Sequence, residues 1–329
     1  MDKKPRSIPK ARKNGAPFFP APHLAETKSR FIPPLLLATT ALIWGTAFLA
    51  QKLGADDIGP CAFTASRSFL GGCALLVVLA IRRMRRAAIP HGGDPRYWRN
   101  VLLGGACCGF WLFVASVVQQ AGLKHTDAGV SGFLTANYVL ILPILGIFVG
   151  RVPRWFIWPA VLVAVAGLYL ICVNGPMPMG RGEWLTIACA FLFAVQMQTV
   201  DHFAPRTDVV AMSCVQFFTG AVLGAALTPA LPGEVELLSA ESFMKCLPSI
   251  AYCGILSSGV AYTFQNLAQA STPPALAAIL LSMESVFAAF AGRIFLGEIM
   301  TVRQVIGCAL VFAAVVFAQV CDIIWPRRD

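Results

Sequence analysis

The stretch "ALAAILLSMESVFAAFAGRIFLGE", from Ala275 to Glu298, is long and apolar enough to cross a bilayer, yet it contains an acid. Glu284 lies ten residues into the predicted span that begins at residue 274. At about 1.5 Å per residue, this is close to the middle of a hydrocarbon core about 30 Å thick. A charge at that depth costs about 2.5–3.5 kcal/mol on insertion scales. We therefore expect desolvation to favour the neutral acid, and we expect Glu284 to have a cavity or a partner.

The chain as a whole has the composition of a membrane protein. Of its 329 residues, 57% are hydrophobic and 13% are charged, whereas soluble domains carry about 25% charged residues. Apolar runs of spanning length recur from residue 33 onwards. The sequence therefore predicts an all-α polytopic membrane protein with ten transmembrane helices, at residues 33–53, 61–81, 100–121, 128–149, 155–173, 183–203, 209–230, 246–267, 274–297 and 303–324.

The net charge of +10 is distributed asymmetrically over this topology. Most Lys and Arg residues fall in the N-terminal tail and in loops on the same side of the predicted spans, as in residues 82–99. This pattern predicts that both termini are cytoplasmic, in a multi-pass protein of the cell membrane. It also favours a basic surface beside anionic lipids, with no nucleic-acid partner. Residues 1–32 are predicted to be a disordered basic tail and not a cleaved signal.

The sequence contains an internal repeat. "QQAGLKHT", from Gln119 to Thr126, closes the third span, and "QNLAQAST", from Gln265 to Thr272, closes the eighth. These matching segments indicate two five-helix repeats, 33–174 and 183–325, which are joined by a Pro/Gly linker at 175–182. Since five crossings is an odd number, the two halves must insert in opposite orientations. Inverted repeats of this kind are typical of transporters, which bind substrates near the midplane between the halves.

The repeat is accompanied by motifs that resemble a known family. They are "WGTAFLAQKLGADDIGP" (Trp44–Pro60), "GVSGFLTANYVLILPILG" (Gly129–Gly146), "SSGVAYTFQNLAQASTPP" (Ser257–Pro274) and "SMESVF" (Ser282–Phe287). Together they resemble the EamA family of the drug/metabolite transporter (DMT) superfamily, over about residues 33–324. The resemblance implies a ten-helix inverted-repeat permease. Such proteins usually export small metabolites, amino acids or drugs.

Two positions depart from the family pattern. Ser285 follows Glu284 where members often have proline, so we expect the ninth helix to be straighter. Arg151 follows Gly150 where members often have an acid, so Glu298 is assigned no role shared with residue 151. Within the fourth span, Pro143 is predicted to kink the helix.

Polar side chains within the spans are the candidates for a site. Ser258, Tyr262, Gln265 and Gln269 follow α-helical spacing in the eighth span, which predicts one polar stripe. The substrate-binding candidates are Trp44, Trp111, Gln119, Asn137, Tyr138, Gln198, Tyr262, Gln265 and Glu284. Hydrogen bonding between helices is the alternative role for such residues. For Glu284 the alternatives are a coupling proton or a cationic substrate group, against a protonated packing residue.

These groups favour a small zwitterion, a cation or an amphipathic drug as the substrate. The four histidines and eleven cysteines form no pattern typical of a metal site, so no metal, cofactor or catalytic residue is predicted. A passive facilitator or sensor remains an alternative, and a membrane-embedded enzyme is a weaker one. Arg67 is expected at the membrane interface. The pairs Gly105/Gly109 and Gly220/Gly224 predict close helix packing, within the chain or in a homodimer.

Overall fold

The structure is a computed structural model that describes residues 31–55, 57–84, 95–126, 128–173, 179–231, 233–235, 239–295 and 301–325. Most of the predicted tail, part of the linker at 175–182 and Glu298 therefore lie outside the described residues.

The described residues are helical apart from short connections, and they contain no β-strand. The first half contains α1 (Ile32–Ala55), α2 (Pro60–Met84), α3 (Pro95–Leu123), α4 (Ala128–Ala136), α5 (Tyr138–Phe148) and α6 (Ile157–Cys172). The second half contains α7 (Arg181–Phe203), α8 (Val209–Leu227), α9 (Ala240–Ala251), a π-helical segment (Tyr252–Tyr262), α10 (Thr263–Gln269), α11 (Pro274–Leu281), α12 (Met283–Phe295) and α13 (Val302–Ile324). Within this part of the chain, nine helical segments are long and apolar enough to cross a membrane, and α6 is a shorter apolar helix. The ten-helix prediction is confirmed.

The two halves pack against each other reciprocally. Helix α1 contacts α12, and its counterpart α7 contacts α4 and α5. Likewise α3 contacts α7 and α8, while the π segment contacts α1 and α2. Helices α2 and α8, and α6 and α13, pair with their own counterparts. The inverted repeats are therefore interlocked, and the centre of the bundle lies between them.

The fourth and ninth spans are each broken in the middle. Asn137 separates α4 from α5, and its side-chain amide donates to the carbonyl of Phe133 at 2.8 Å. Ser282 separates α11 from α12, and its hydroxyl donates to the carbonyl of Ile279 at 2.6 Å. Such bonds to the preceding turn compete with the helical hydrogen-bond ladder. The ninth span is therefore interrupted at Ser282 without a proline, and the fourth span is interrupted before Pro143.

The π-helical segment, Tyr252–Tyr262, is held by α1. The indole nitrogen of Trp44 donates to the carbonyl of Ser257 at 3.4 Å, and the hydroxyl of Thr40 donates to the carbonyl of Ala261 at 3.0 Å. Interruptions of regular helix are tolerated in a membrane when neighbouring helices bind the backbone groups. In this fold, α1 supplies that support.

The predicted glycine pairs mediate packing inside the chain. Gly105 and Gly109 lie against α8, while Gly220 and Gly224 lie against α2. A Cβ atom on Gly224 would lie 2.7 Å from the Cβ of Ala65. These glycines are thus used within the protomer, and the homodimer stays a prediction that they do not support.

The crossing of α6 and α13 allows a test of this packing. A Cβ on Gly167 would lie 2.7 Å from the carbonyl oxygen of Gly307. Gly167→Val must separate the two backbones, so we expect it to lower the free energy of unfolding by about 1–3 kcal/mol. Gly132→Ala is the control, because nothing lies within 4 Å of its added Cβ. Unfolding in mixed detergent micelles measures both variants, and equal stability would contradict the close crossing.

Candidate functional site

A small cavity, here called the central cavity, lies between the two halves beside the broken helices. Its volume is about 40 Å³. Helices from both halves form its walls, including α1, α3, α5, α7 and α12. The predicted site residues that line it are Trp44, Gln119, Tyr138, Tyr262, Gln265 and Glu284. The structure therefore brings together groups that are widely separated in the sequence.

Tyr138 and Glu284 occupy equivalent positions in the two repeats. Each lies 19 residues after the glutamine that opens the repeated segment, Gln119 or Gln265. Tyr138 is the first residue of α5, and Glu284 is in the first turn of α12. The two helix breaks therefore direct both side chains into the same cavity, where both are almost completely buried.

An aromatic pair forms another part of the wall. The rings of Trp44 and Tyr262 are 4.6 Å apart between centroids and tilted by 55°. Phe217 packs edge-on against Tyr262 from behind. Because the Trp44 indole also bonds to the π segment, its orientation is fixed. Trp44 and Tyr262 thus pack against each other and also line the cavity.

Several buried polar atoms in this wall have no hydrogen-bond partner among the described residues. They include both amide atoms of Gln196, the side-chain oxygen of Gln265 and the hydroxyl of Tyr138. The last lies near Glu284 without completing a hydrogen bond within 3.5 Å. Buried polar groups in proteins are nearly always bonded. The central cavity therefore offers donors and acceptors to a polar solute.

Arg67 also lines the central cavity, so the expectation that it lies at the interface was wrong. Helix α2 packs closely on Gly254 of the π segment, which turns this side of α2 toward the protein. Arg67 is only 4% exposed, and its Nη1 donates to the side-chain oxygen of Gln51 at 3.1 Å. Among the described residues, neither Arg67 nor Glu284 takes part in an ion pair. The cavity wall therefore carries one guanidinium and one carboxyl group.

The remaining predicted residues lie elsewhere. Trp111 packs edge-on against Phe110. Asn137 forms the helix break described above and does not line the central cavity. Gln198 lines a second cavity and donates to the carbonyl of Leu142 at 3.3 Å. Gln196, on the same helix, lines the central cavity instead. The residues beside it in the sequence are apolar, and no helical stripe of polar residues selects it.

The polar stripe predicted for the eighth span differs from the structure at its serine. Ser257, not Ser258, lines the central cavity with Tyr262 and Gln265. The α-helical spacing used for the prediction does not apply, because a π-helix bonds residue i to i+5. Ser258 instead packs against Gly71 of α2. The π segment thus decides which serine faces the cavity.

The second cavity, here called the vestibule, is much larger, with a volume of about 540 Å³. It lies at the end of the bundle where Arg151 pairs with Asp201 and Arg154 pairs with Asp322 at 3.3 Å. Gly150 precedes Arg151 with a φ of +77°, a left-handed conformation that favours glycine. This turn brings Arg151 back toward α7. Further lining residues include Pro143, Gln198, Gln269, Pro273 and Asp322.

The central cavity and the vestibule are separated by one helical turn. On α10, Gln265 lines the former and Gln269 the latter. The amide of Gln265 donates to the side-chain oxygen of Gln269 at 2.9 Å, and the amide of Gln269 donates to the carbonyl of Met197 at 3.5 Å. This pair of amides forms a polar partition between the two spaces.

Comparison with protein families places this architecture among transporters. Residues 32–173 and again residues 180–319 match the model of the EamA-like transporter family. A solved crystal structure superposes with a TM-score of 0.70 at 18% identity, over 91% of this chain and 100% of the other. At that identity, the likeness shows the fold.

Curated relatives cover most of the chain. An uncharacterized transporter of Archaeoglobus fulgidus is 27% identical over 90% of this chain and 88% of its own length. The probable terminal-alkyne amino-acid exporter of Streptantibioticus cattleyicolor is 26% identical over 85% of this chain and 90% of its own length. The threonine/homoserine exporter RhtA of Escherichia coli K12 is 26% identical over 85% of this chain and 88% of its own length.

The different surroundings of the adjacent residues Ser257 and Ser258 can be tested by substitution. Ser258→Leu must push α2 away, because the Ser258 Cβ already lies 2.9 Å from the position of a Cβ on Gly71. We expect it to lower the melting temperature in detergent, as overpacking does. Ser257→Leu extends into the central cavity and should lower the melting temperature less. A larger loss for Ser257→Leu would contradict the π-helical register.

Proposed function

Because the chain belongs to the EamA-like transporter family, we propose that it is a secondary transporter that exports a small amino acid or a similar zwitterionic metabolite. The observation that carries this proposal is the central cavity, which combines an acid, a guanidinium and unpartnered amide and hydroxyl groups between inverted halves. Inverted-repeat transporters bind their substrates at this place. Two relatives are named as exporters of amino acids, which agrees with a cavity that carries both an acid and a guanidinium.

The proposed orientation places the vestibule at the cytoplasmic face of the cell membrane. Arg82, Arg151 and Arg154 lie at this end of the bundle, and cytoplasmic loops are rich in such residues. Both termini are then cytoplasmic, and anionic lipids contact the basic end. Substrate enters the vestibule from the cytoplasm.

The proposed transport cycle requires the central cavity to widen. At about 40 Å³ it has room for only a few water molecules. The vestibule, at about 540 Å³, can admit a small metabolite. Separation of Gln265 from Gln269 joins the two spaces and admits the substrate. Movement of the halves in the opposite sense then opens the central cavity to the outside, which is alternating access.

Glu284 is the proposed coupling group. It is the acid of the central cavity, and a buried carboxyl group is stabilised by either a proton or a cationic partner. A proton and the ammonium group of a substrate therefore compete for the same side chain. Entry of a proton from outside promotes release of the substrate there, and loss of that proton restores binding inside. This competition distinguishes the proposed exporter from a passive facilitator.

Export can be tested by profiling the medium of cells that express the protein. Wild type should enrich at least one amino acid outside the cells, and Glu284→Gln should not, because the amide can neither exchange a proton nor neutralise an ammonium group. Glu241→Gln is the matched control, since Glu241 is exposed and pairs with Lys245 at 3.1 Å. Mass spectrometry measures the amino acids in the medium, and the cells that are compared contain equal amounts of each protein in their membranes.

The outcomes separate the alternatives. Export by both wild type and Glu284→Gln would make Glu284 a packing residue. Enrichment by neither would contradict export. In vesicles that contain the purified protein, a proton gradient should accelerate amino-acid movement through wild type, and a rate independent of the gradient would indicate a facilitator.

The vestibule is tested by blocking it. Gln198→Trp places a large side chain in the vestibule, so we expect export to fall by about tenfold or more at an unchanged protein level. Leu162→Trp is the control, because Leu162 is 65% exposed on the outer face of α6. Export at the wild-type rate by Gln198→Trp would show that the path does not pass through the vestibule.

A further inference from the structure

Arg67 has an environment that is unusual for a buried arginine. It lines both the central cavity and a smaller neighbouring space beside Ser68 and Gln216. Its guanidinium is charged at any physiological pH. Charges removed from water are normally paired with an opposite charge. Among the described residues the polar contact of this guanidinium is with Gln51, which is neutral.

Glu284 does not compensate the charge of Arg67. Both side chains line the central cavity, yet no N–O distance of 4.0 Å or less joins them. The arginine pairs present in the described residues, Arg82–Asp208 for example, lie away from this cavity. The cavity therefore keeps the guanidinium and the carboxyl group apart, and each can interact with a separate group of a solute.

Gln51 holds the guanidinium in position. Its backbone carbonyl accepts a hydrogen bond from the amide of Gln120 at 3.0 Å, and its side-chain oxygen accepts from Arg67 at 3.1 Å. Gln51 is itself buried and lines the cavity. A guanidinium has five N–H donors in a planar fork, so one bond to Gln51 fixes the fork and leaves donors for an anion.

We propose that Arg67 binds the carboxylate of the transported solute in the central cavity, with Gln51 as its positioning residue. This inference rests on the proposed function and adds a requirement to it: the substrate carries a carboxylate. A planar carboxylate matches the two parallel N–H groups of a guanidinium fork. The acid at Glu284 and the ring faces of Trp44 and Tyr262 complement an ammonium group of the same solute. A cationic amine without a carboxylate is then a poor substrate.

The test compares each amino acid with its own carboxamide. Proteoliposomes are loaded with an equimolar mixture of L-threonine, L-homoserine, L-valine and L-leucine together with their α-carboxamides, and efflux is followed by mass spectrometry. Protein-free liposomes correct for leakage. Wild type should export an acid about tenfold or more faster than its amide, because the amide loses the charge-assisted bonds to Arg67.

The variants identify Arg67 as the source of this preference. Arg67→Gln should bring the acid-to-amide ratio close to one, and Arg67→Lys should retain part of the preference because it keeps the charge without the fork. Gln51→Ala should lower the ratio while leaving the guanidinium present. Arg206→Gln is the matched control, since Arg206 is exposed and bonds to the carbonyl of His202. Melting temperatures report folding, and if Arg67→Gln does not fold, the ratios of Arg67→Lys and Gln51→Ala decide.

Each outcome separates the two proposals. Equal export of acid and amide by wild type would overturn the role of Arg67 and leave the exporter intact. An unchanged ratio in folded Arg67→Gln, or in folded Arg67→Lys and Gln51→Ala, would also overturn it. Failure of wild type to release any of these acids or amides faster than protein-free liposomes would overturn the proposed function and this inference with it.

Discussion

A spanning helix finds no water in the bilayer core, and this constraint explains where the polar side chains of the bundle lie. Many of them bond to a neighbouring helix, and others bond to their own backbone one turn earlier. Asn266, for example, donates to Ser213 at 2.9 Å and to Gln216 at 3.2 Å, which joins α10 to α8. Some of the groups that the helices do not satisfy, such as both amide atoms of Gln196, belong to residues that line the central cavity. The cavity is thus one place where the fold leaves polar groups available to a solute.

The scaffold is symmetric, but the chemistry on it is not. Both central helices break within one residue of the equivalent place, and the first turn after the break contains Tyr138 in one half and Glu284 in the other. Arg67 has a similar counterpart, because Arg67 and Gln216 each lie seven residues after the first residue of their helix, α2 or α8. Gln216 bonds to Asn266, whereas Arg67 faces the cavity. In the proposed cycle, symmetry supplies the alternating movement, and the asymmetric residues determine what is moved.

The sequence predicted the ten helices and much of the cavity because both depend on regular patterns. Hydrophobic length identifies spans, and a repeated motif places Gln119 and Gln265 in equivalent helices. The errors arose where a pattern is broken by a single contact. Because of the π segment, Ser257 lines the cavity where Ser258 was predicted to do so. Ser282 breaks a helix that contains no proline at that point. The rotation of a helix about its own axis is also not predicted by its sequence pattern. Arg67 lies near a span end, where snorkelling is the ordinary expectation, but packing of α2 on the π segment turns Arg67 inward.

In the proposed cycle, the positions of the breaks link binding to movement. Glu284 lies in the first turn of α12, so any change in the angle between α11 and α12 moves its carboxyl group relative to the cavity wall. Gly45 of α1 reinforces this link, since a Cβ there would lie 2.8 Å from the backbone nitrogen of Ala288, one turn further along α12. A ligand can shift a conformational equilibrium only by binding the two states with different affinity. A proton or a substrate at Glu284 meets that condition in the proposed cycle, because the two states place the acid differently against α1. The residue that selects the bound cation is then also the residue whose position changes when the halves move.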